Sequence, residues 1–202
     1  MKPRLIVKQK ITPLVNKYSI VEASLNSGEG QLLALAQQKR IALKERVIFY
    51  ADDSRSRVAF TFRAEKVLDI HGRYFVEDAT GKLIGGFRKD FKKSLLNSTW
   101  HVFDASEQEI FLVKESNHMV AVLRRFGGAI PIVGDIIETV MAFTKYHFSF
   151  IDPTSLLEVG VYRKTTRFRD HYVLMLDDAG WSRVDWRVMA AMSVALDALQ
   201  SR

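Results

Sequence analysis

The residues best suited to binding chemistry are cations grouped with aromatics. The run Phe87-Arg-Lys-Asp-Phe-Lys-Lys93 places Arg88, Lys89, Lys92 and Lys93 around Phe87 and Phe91 at the end of a β-type stretch. Arg124 and Arg125 form a second pair, and Arg163, Lys164 and Arg167 a third group, each beside a predicted strand end. If these cations share one rim, they form a surface for anionic head groups, each contributing about 1 kcal/mol near an acidic membrane. The same residues also suit a solvated sheet edge, where charge discourages pairing with another chain. Phe87 and Phe91 fit either the core or shallow insertion into an interface.

Other reactive residue types do not assemble into a motif. The chain has no cysteine, which removes disulfides, thiolate metal sites, a cysteine nucleophile and S-acylation together. His71, His101, His118, His147 and His171 stand singly, without the paired spacing of metal ligands. The glycines from Gly127 to Gly134 are not followed by Gly-Lys-Ser/Thr, so they are no P-loop, and no Gly-x-Ser-x-Gly elbow occurs. Asn97-Ser-Thr99 matches a glycosylation acceptor by chance, since no secretory signal accompanies it. The reading is of a non-enzymatic protein with no cofactor and no metal.

The chain that must position these cations has 202 residues, 48% of them apolar and 26% charged. One globular domain spanning residues 1–202 is expected. The net charge is +7. Its surplus lies early, since residues 1–67 carry thirteen basic and six acidic side chains. Such a face attracts polyanions, while a moderate charge also serves solubility alone. The first residues mix Lys2, Arg4, Lys8 and Lys10 with apolar ones, unlike a signal peptide. The stretch Phe126 to Phe143 is broken by Pro131, Asp135 and Glu138, so no transmembrane helix is predicted. A cytoplasmic location, peripheral at a membrane, fits these features.

Short β-type runs separated by turn residues dominate the sequence. Four hairpins repeat one idiom, an aromatic followed four residues later by Asp: Phe49/Asp53, Tyr74/Asp78, Trp100/Asp104 and Phe148/Asp152. The aromatic anchors the strand, and the Asp opens the turn by accepting from backbone N–H groups further on. Turn chemistry accounts for these four Asp without a metal. Gln31 to Arg46 has helical propensity but β-type neighbours and reads as strand; Ile136 to Thr144 suits a short helix or a covering loop. Asp177-Asp-Ala-Gly180 reads as a stop after the last strand. The C-terminus is different. After an N-cap at Asp185, the stretch from Val188 to Leu199 has only Ser193 and Asp197 as polar residues. A helix apolar nearly all round is buried on most sides. Its roughly 15 residues span about 22 Å, and its alanines keep it slim. Beside ten or more antiparallel strands, such a helix fits inside a closed barrel, filling a lumen too wide for side chains alone.

Arg73-Tyr-Phe-Val-Glu-Asp-Ala-Thr-Gly-Lys-Leu-Ile-Gly, then Ser94-Leu-Leu-Asn-Ser-Thr-Trp100 with the Asp104 turn, resembles the LURP-one-related proteins and phospholipid scramblases. The end of the chain, Arg169-Asp-His-Tyr-Val-Leu and the helix from Asp185 to Leu199, is similar as well. Both families belong to the tubby C-terminal-like superfamily, and the resemblance runs over roughly residues 5 to 200. It implies a mostly β fold, a closed antiparallel barrel of about twelve strands enclosing a hydrophobic C-terminal α-helix. It also implies, from tubby proteins, binding of phosphoinositides through basic side chains, although no such position can be matched here residue by residue. The acylated cysteines, acidic calcium segment and C-terminal anchor of scramblases have no counterpart, so scramblase activity is not expected. The functional expectation is a binding module for anionic membrane lipids through Arg88, Lys89, Lys92, Lys93, Arg124, Arg125, Arg163, Lys164 and Arg167. The alternative is an intracellular protein-interaction scaffold. Nucleic acid is not expected as a partner, because no reader motif accompanies the basic charge.

Overall fold

Alternation of apolar and polar residues commits most of the described residues to strands, and the computed structural model places them in one closed sheet. It describes residues 4–11, 15–23, 30–39, 46–65, 72–90, 98–115, 147–165 and 170–200. The strands are β1 (Arg4–Ile11), β2 (Val15–Ala23), β3 (Leu32–Lys39), β4 (Arg46–Tyr50), β5 (Val58–Ala64) and β6 (Arg73–Asp78). They continue as β7 (Leu83–Lys89), β8 (Thr99–Asp104), β9 (Glu109–Glu115), β10 (His147–Ile151), β11 (Glu158–Lys164) and β12 (Asp170–Leu176). Each strand pairs with its sequence neighbours, and β1 closes on β12 through Leu5↔Leu174 and Gln9↔Asp170. All twelve pairings are antiparallel. Closure leaves no free edge among the described strands to template aggregation. The predicted twelve-stranded barrel is the one observed, and β3 is a strand despite its helical propensity.

Inside runs a helix. α1 (Asp178–Arg183) is a short turn of helix, and α2 (Trp186–Gln200) carries the apolar stretch. From Val188 to Leu196 every side chain of α2 has 0% exposure, the outcome expected of a helix without a polar face. Its two polar residues are satisfied within the barrel. Ser193 Oγ donates to the Met189 carbonyl at 2.8 Å, and the Ser193 carbonyl accepts from Tyr162 Oη at 3.2 Å. Asp185 accepts from the Arg187 N–H at 2.9 Å, in keeping with its expected capping role. Large inward aromatics fill the wall around the helix: Phe49 stacks on Phe60 with centroids 4.1 Å apart, and Phe60 meets Trp186 edge-on at 5.6 Å. Phe87, set beside the cations in sequence, is one of these core residues.

The hairpin idiom works largely as its chemistry requires. Asp78 Oδ1 accepts from the Thr80 and Lys82 N–H groups at 2.9 and 3.0 Å. Asp104 Oδ1 accepts from Ser106 and Gln108 at 2.8 and 2.9 Å. Asp152 Oδ1 accepts from Thr154 and Ser155 at 2.9 and 2.7 Å. In the first hairpin the spacing misleads. Asp52, not Asp53, opens the turn, accepting from Arg55 N at 3.2 Å through its carbonyl and from Ser54 Oγ at 2.5 Å through its carboxylate. The strand stops before Asp177–Gly180 as read, β12 ending at Leu176, and Asp177 is also an N-cap: it accepts from Gly180 N at 2.6 Å and starts α1, which buries Trp181. The segments read as Phe126 to Phe143 and Ile136 to Thr144 lie outside the described residues.

Asp152 has a further partner in the Arg183 guanidinium. The Ser155 N–H and that guanidinium hold the Asp152 carboxyl well below the usual carboxylate range. A depressed folded pKa adds stability that is complete above the unfolded value near 4 and vanishes as pH falls below it. Asp152→Ala is therefore expected to lower the urea midpoint at pH 7 and to converge on wild type towards pH 2, measured by urea titration across that range.

Candidate functional site

Antiparallel closure sorts the charges along the barrel axis. Because neighbouring strands alternate in direction, the C-terminal ends of β1, β3, β5, β7, β9 and β11 open at one rim with the N-terminal ends of the even strands. Lys10, Lys17, Arg46, Arg63, Arg73 and Lys114 all lie towards this rim and point outward or are exposed, as do Arg88 and Arg163. The acidic residues at the strands' ends here are Glu65, Asp90, Glu115 and, at the start of β12, Asp170. The opposite rim holds the Asp-opened turns and α1, with Asp53, Glu107, Glu158, Asp177 and Asp178 exposed beside the exposed cations Arg55, Arg57, Lys82 and Arg183. Much of the basic surplus of the first third of the chain thus lies at one end of the barrel.

The cations of the basic rim are not merely solvated. On the outer wall of β5 to β8, three arginines alternate with two phenylalanines. Arg63 lies over the Phe75 ring at 5.3 Å, and Arg73 lies over Phe75 at 4.9 Å and Phe103 at 5.7 Å. Arg88 lies over Phe103 at 5.6 Å, with His101 stacked on the far side of the row at 6.4 Å. Arg73 and Arg88 are register partners across β6 and β7. Stacking lets a guanidinium keep its N–H donors directed outward while its face stays covered. Arg63 and Arg73 are also held from one side by Glu77 at 2.9 Å and Glu107 at 3.0 Å. Arg63, Arg73, Phe75 and Phe103 were not among the residues singled out in sequence. Their only signal is outward phase on strands whose inward phase carries Phe62, Tyr74 and Val102.

The expected site residues separate. Arg88 and Arg163 are exposed on the outer wall. Lys89 and Lys164, one residue further along each strand, share the inward phase, and their ammonium groups lie 5.6 Å from the Trp100 ring and 5.9 Å from the Tyr172 ring. β7 and β11 are separated by three strands, about 19 Å along the wall at roughly 4.8 Å per strand. The two groups therefore share a rim but not one patch. Lys92, Lys93, Arg124, Arg125 and Arg167 lie outside the described residues, although the strands flanking them end at this same rim.

Just inside that rim, the end of α2 is tied to the wall. Asp197, 7% exposed, accepts from Tyr172 Oη at 2.6 Å and Tyr18 Oη at 2.9 Å, and Gln9 Nε2 donates to Tyr18 Oη at 3.1 Å. Burial, then the adjacent Asp197 carboxylate, pushes the Tyr18 phenol above its ordinary range. On the outer wall His101 is held between Glu109 (Nδ1 at 2.8 Å) and Asp90 (Nε2 at 3.6 Å). Among the described residues no three His, Asp or Glu side chains are grouped to hold a metal ion, and no helix is long and apolar enough to cross a membrane.

These features define a class: a closed antiparallel twelve-stranded barrel built around a C-terminal apolar helix. The sequence pattern of the LURP-one-related family matches residues 34–197, and the chain belongs to that family, within the tubby-like superfamily. No curated protein matches the chain.

Proposed function

We propose that the protein is a non-catalytic binding module that docks on anionic membrane head groups from the cytoplasm through its basic rim. The observation that carries this reading is the Arg63–Phe75–Arg73–Phe103–Arg88 row on the outer wall. Ring stacking restrains its guanidinium groups at low cost in side-chain entropy; Arg63 Nε and Nη2 and Arg73 Nη2 already meet Glu77 and Glu107, so phosphate contact falls to their remaining donors and to Arg88. Arg163 and the cations flanking β7, β9 and β11 add long-range attraction. The excess of exposed cations over carboxylates at this rim orients the barrel end-on towards a negative surface.

Co-sedimentation with phosphatidylcholine vesicles, with and without phosphatidylserine or a phosphoinositide, tests this. Binding is expected only with the anionic lipid and is expected to weaken with salt. Arg73→Gln/Arg88→Gln forfeits two membrane-facing cations at about 1 kcal/mol each, so affinity falls about thirtyfold while the urea midpoint holds. Equal retention by neutral and anionic vesicles at low salt rules the reading out.

A further inference from the structure

The rim opposite the basic one carries an apolar tip. The β10–β11 turn exposes Leu156 by 72% and Leu157 by 66%, the two exposed large hydrophobic residues among those described. The turn that presents them is closely braced. Asp152, itself buried, accepts from the Thr154 N–H, the Ser155 N–H and Ser155 Oγ, and pairs with Arg183. Its backbone N–H donates to the Leu157 carbonyl, and its carbonyl accepts from Leu156 N, both at 2.9 Å. Arg183 in turn reaches the Ile110 carbonyl at 3.4 Å and lies over the Phe111 ring. Leu156 sits at φ 60°, a conformation that disfavours a branched side chain. The turns at Arg55 (φ 56°), Gly81 (φ 86°) and Glu107 (φ 63°) require the same conformation and meet it with polar residues or glycine. At the fourth turn a leucine takes this position and projects into water.

We propose that this turn is a protein-docking knob, recognised by a partner that presents an apolar pocket bordered by basic side chains. The leucine pair supplies the small central apolar anchor around which interfaces concentrate their energy. Charge selects the partner: Glu158 follows the pair directly, Asp177 and Asp178 lie at the end of the neighbouring strand, where Asp177 N donates to the Val159 carbonyl at 2.9 Å, and the adjacent Arg183 is offset by its pairing with Asp152. A carboxylate border repels an anionic bilayer and attracts a cationic pocket. A braced turn also loses little freedom on binding. The knob and the basic rim stand at opposite ends of the barrel, so this site is independent of the lipid reading.

The absence of native cysteine allows a single photoreactive maleimide at Leu157→Cys, with Asp53→Cys on the β4–β5 turn of the same rim as control. In extract of the source cells, Leu157→Cys is expected to give a discrete adduct that the control lacks. The identified protein, once purified, is expected to bind the full chain, and Leu156→Ser/Leu157→Ser and Glu158→Lys are each expected to weaken binding at least tenfold. No adduct above the control, an adduct only with another copy of this chain, or binding unmoved by these variants overturns the proposal. So does burial of a dye at Leu157→Cys in phosphatidylcholine vesicles. A partner-free arm tests the strain. Leu156→Gly is expected to raise the urea midpoint, because glycine accepts φ 60° freely, and yet to weaken partner binding at least tenfold; a midpoint that falls removes the premise.

Discussion

Gly85→Ala is expected to destabilise the barrel by about 4 kcal/mol, combining the cost of a side chain in a backbone region that favours glycine with that of overpacking. Gly85 on β7 has φ 148°, and a Cβ built there would stand 2.6 Å from the Phe103 carbonyl oxygen and 2.9 Å from Val188 Cγ2 of the central helix. The carbonyl belongs to the paired strand and cannot withdraw without breaking the ladder. Gly81→Ala provides the comparison, because Gly81 has φ 86° but nothing within 4 Å of the added Cβ; its cost is expected to be about 1 kcal/mol. Urea unfolding of both variants separates conformational strain from contact with the helix. Val188→Ala in the Gly85→Ala background is expected to recover part of the loss, as neighbouring sites do in a double-mutant cycle. Equal costs for the two glycines would mean that α2 does not press on β7 as described.

The second large effect belongs to the end of the same helix. Asp197→Ala is expected to cost about 3–5 kcal/mol, since it strips an ionised acceptor from two buried tyrosine hydroxyls, each such bond being worth about 1.5–3 kcal/mol. Asp197→Asn keeps one acceptor oxygen and is expected to cost less. Alkaline unfolding gives an independent check. The Tyr18 phenol holds its proton more tightly in the folded barrel than in the unfolded chain, because of burial and Asp197. A folded pKa raised in this way gives stability that is complete below about pH 10 and falls by about 1.4 kcal/mol per pH unit as pH rises beyond it. Tyr18→Phe is expected to flatten that decline while lowering stability at pH 7. Unchanged alkaline unfolding in Tyr18→Phe would show that the phenol does not control it.

The two variants act on opposite ends of α2, and together they explain why the helix needs so little polarity to be placed. Gly85 permits close approach near its start, and Asp197 fixes its depth near its end through Tyr18 and Tyr172. Between them, the contacts are apolar apart from the Tyr162 hydroxyl, which donates to the Ser193 carbonyl at 3.2 Å, so register along the barrel axis depends on these three points. If the basic rim meets a membrane, the Asp197 anchor lies just inside the surface that does so.

Strand content, the turn-opening role of Asp78, Asp104 and Asp152, and the burial of α2 were all legible in sequence, because each depends on local periodicity or on a side chain bonding its own neighbourhood. Even the enclosing barrel could be inferred, since a helix apolar from Val188 to Leu199 leaves no face for water. Local patterns also misled where two candidates stood side by side: Asp53 matched the spacing that Asp52 performs. What tertiary structure alone decided is which cations meet. Arg88 and Lys89 are adjacent in the chain, yet strand alternation sends one to the outer wall and the other towards the helix. Arg63, Arg73 and Arg88 are separated by turns, yet the registers of β5, β6 and β7 set them in one row over Phe75 and Phe103. Residue order records which face a side chain takes within its strand. The offsets between strands arise only when the sheet closes around its helix, and those offsets determine which charges become neighbours.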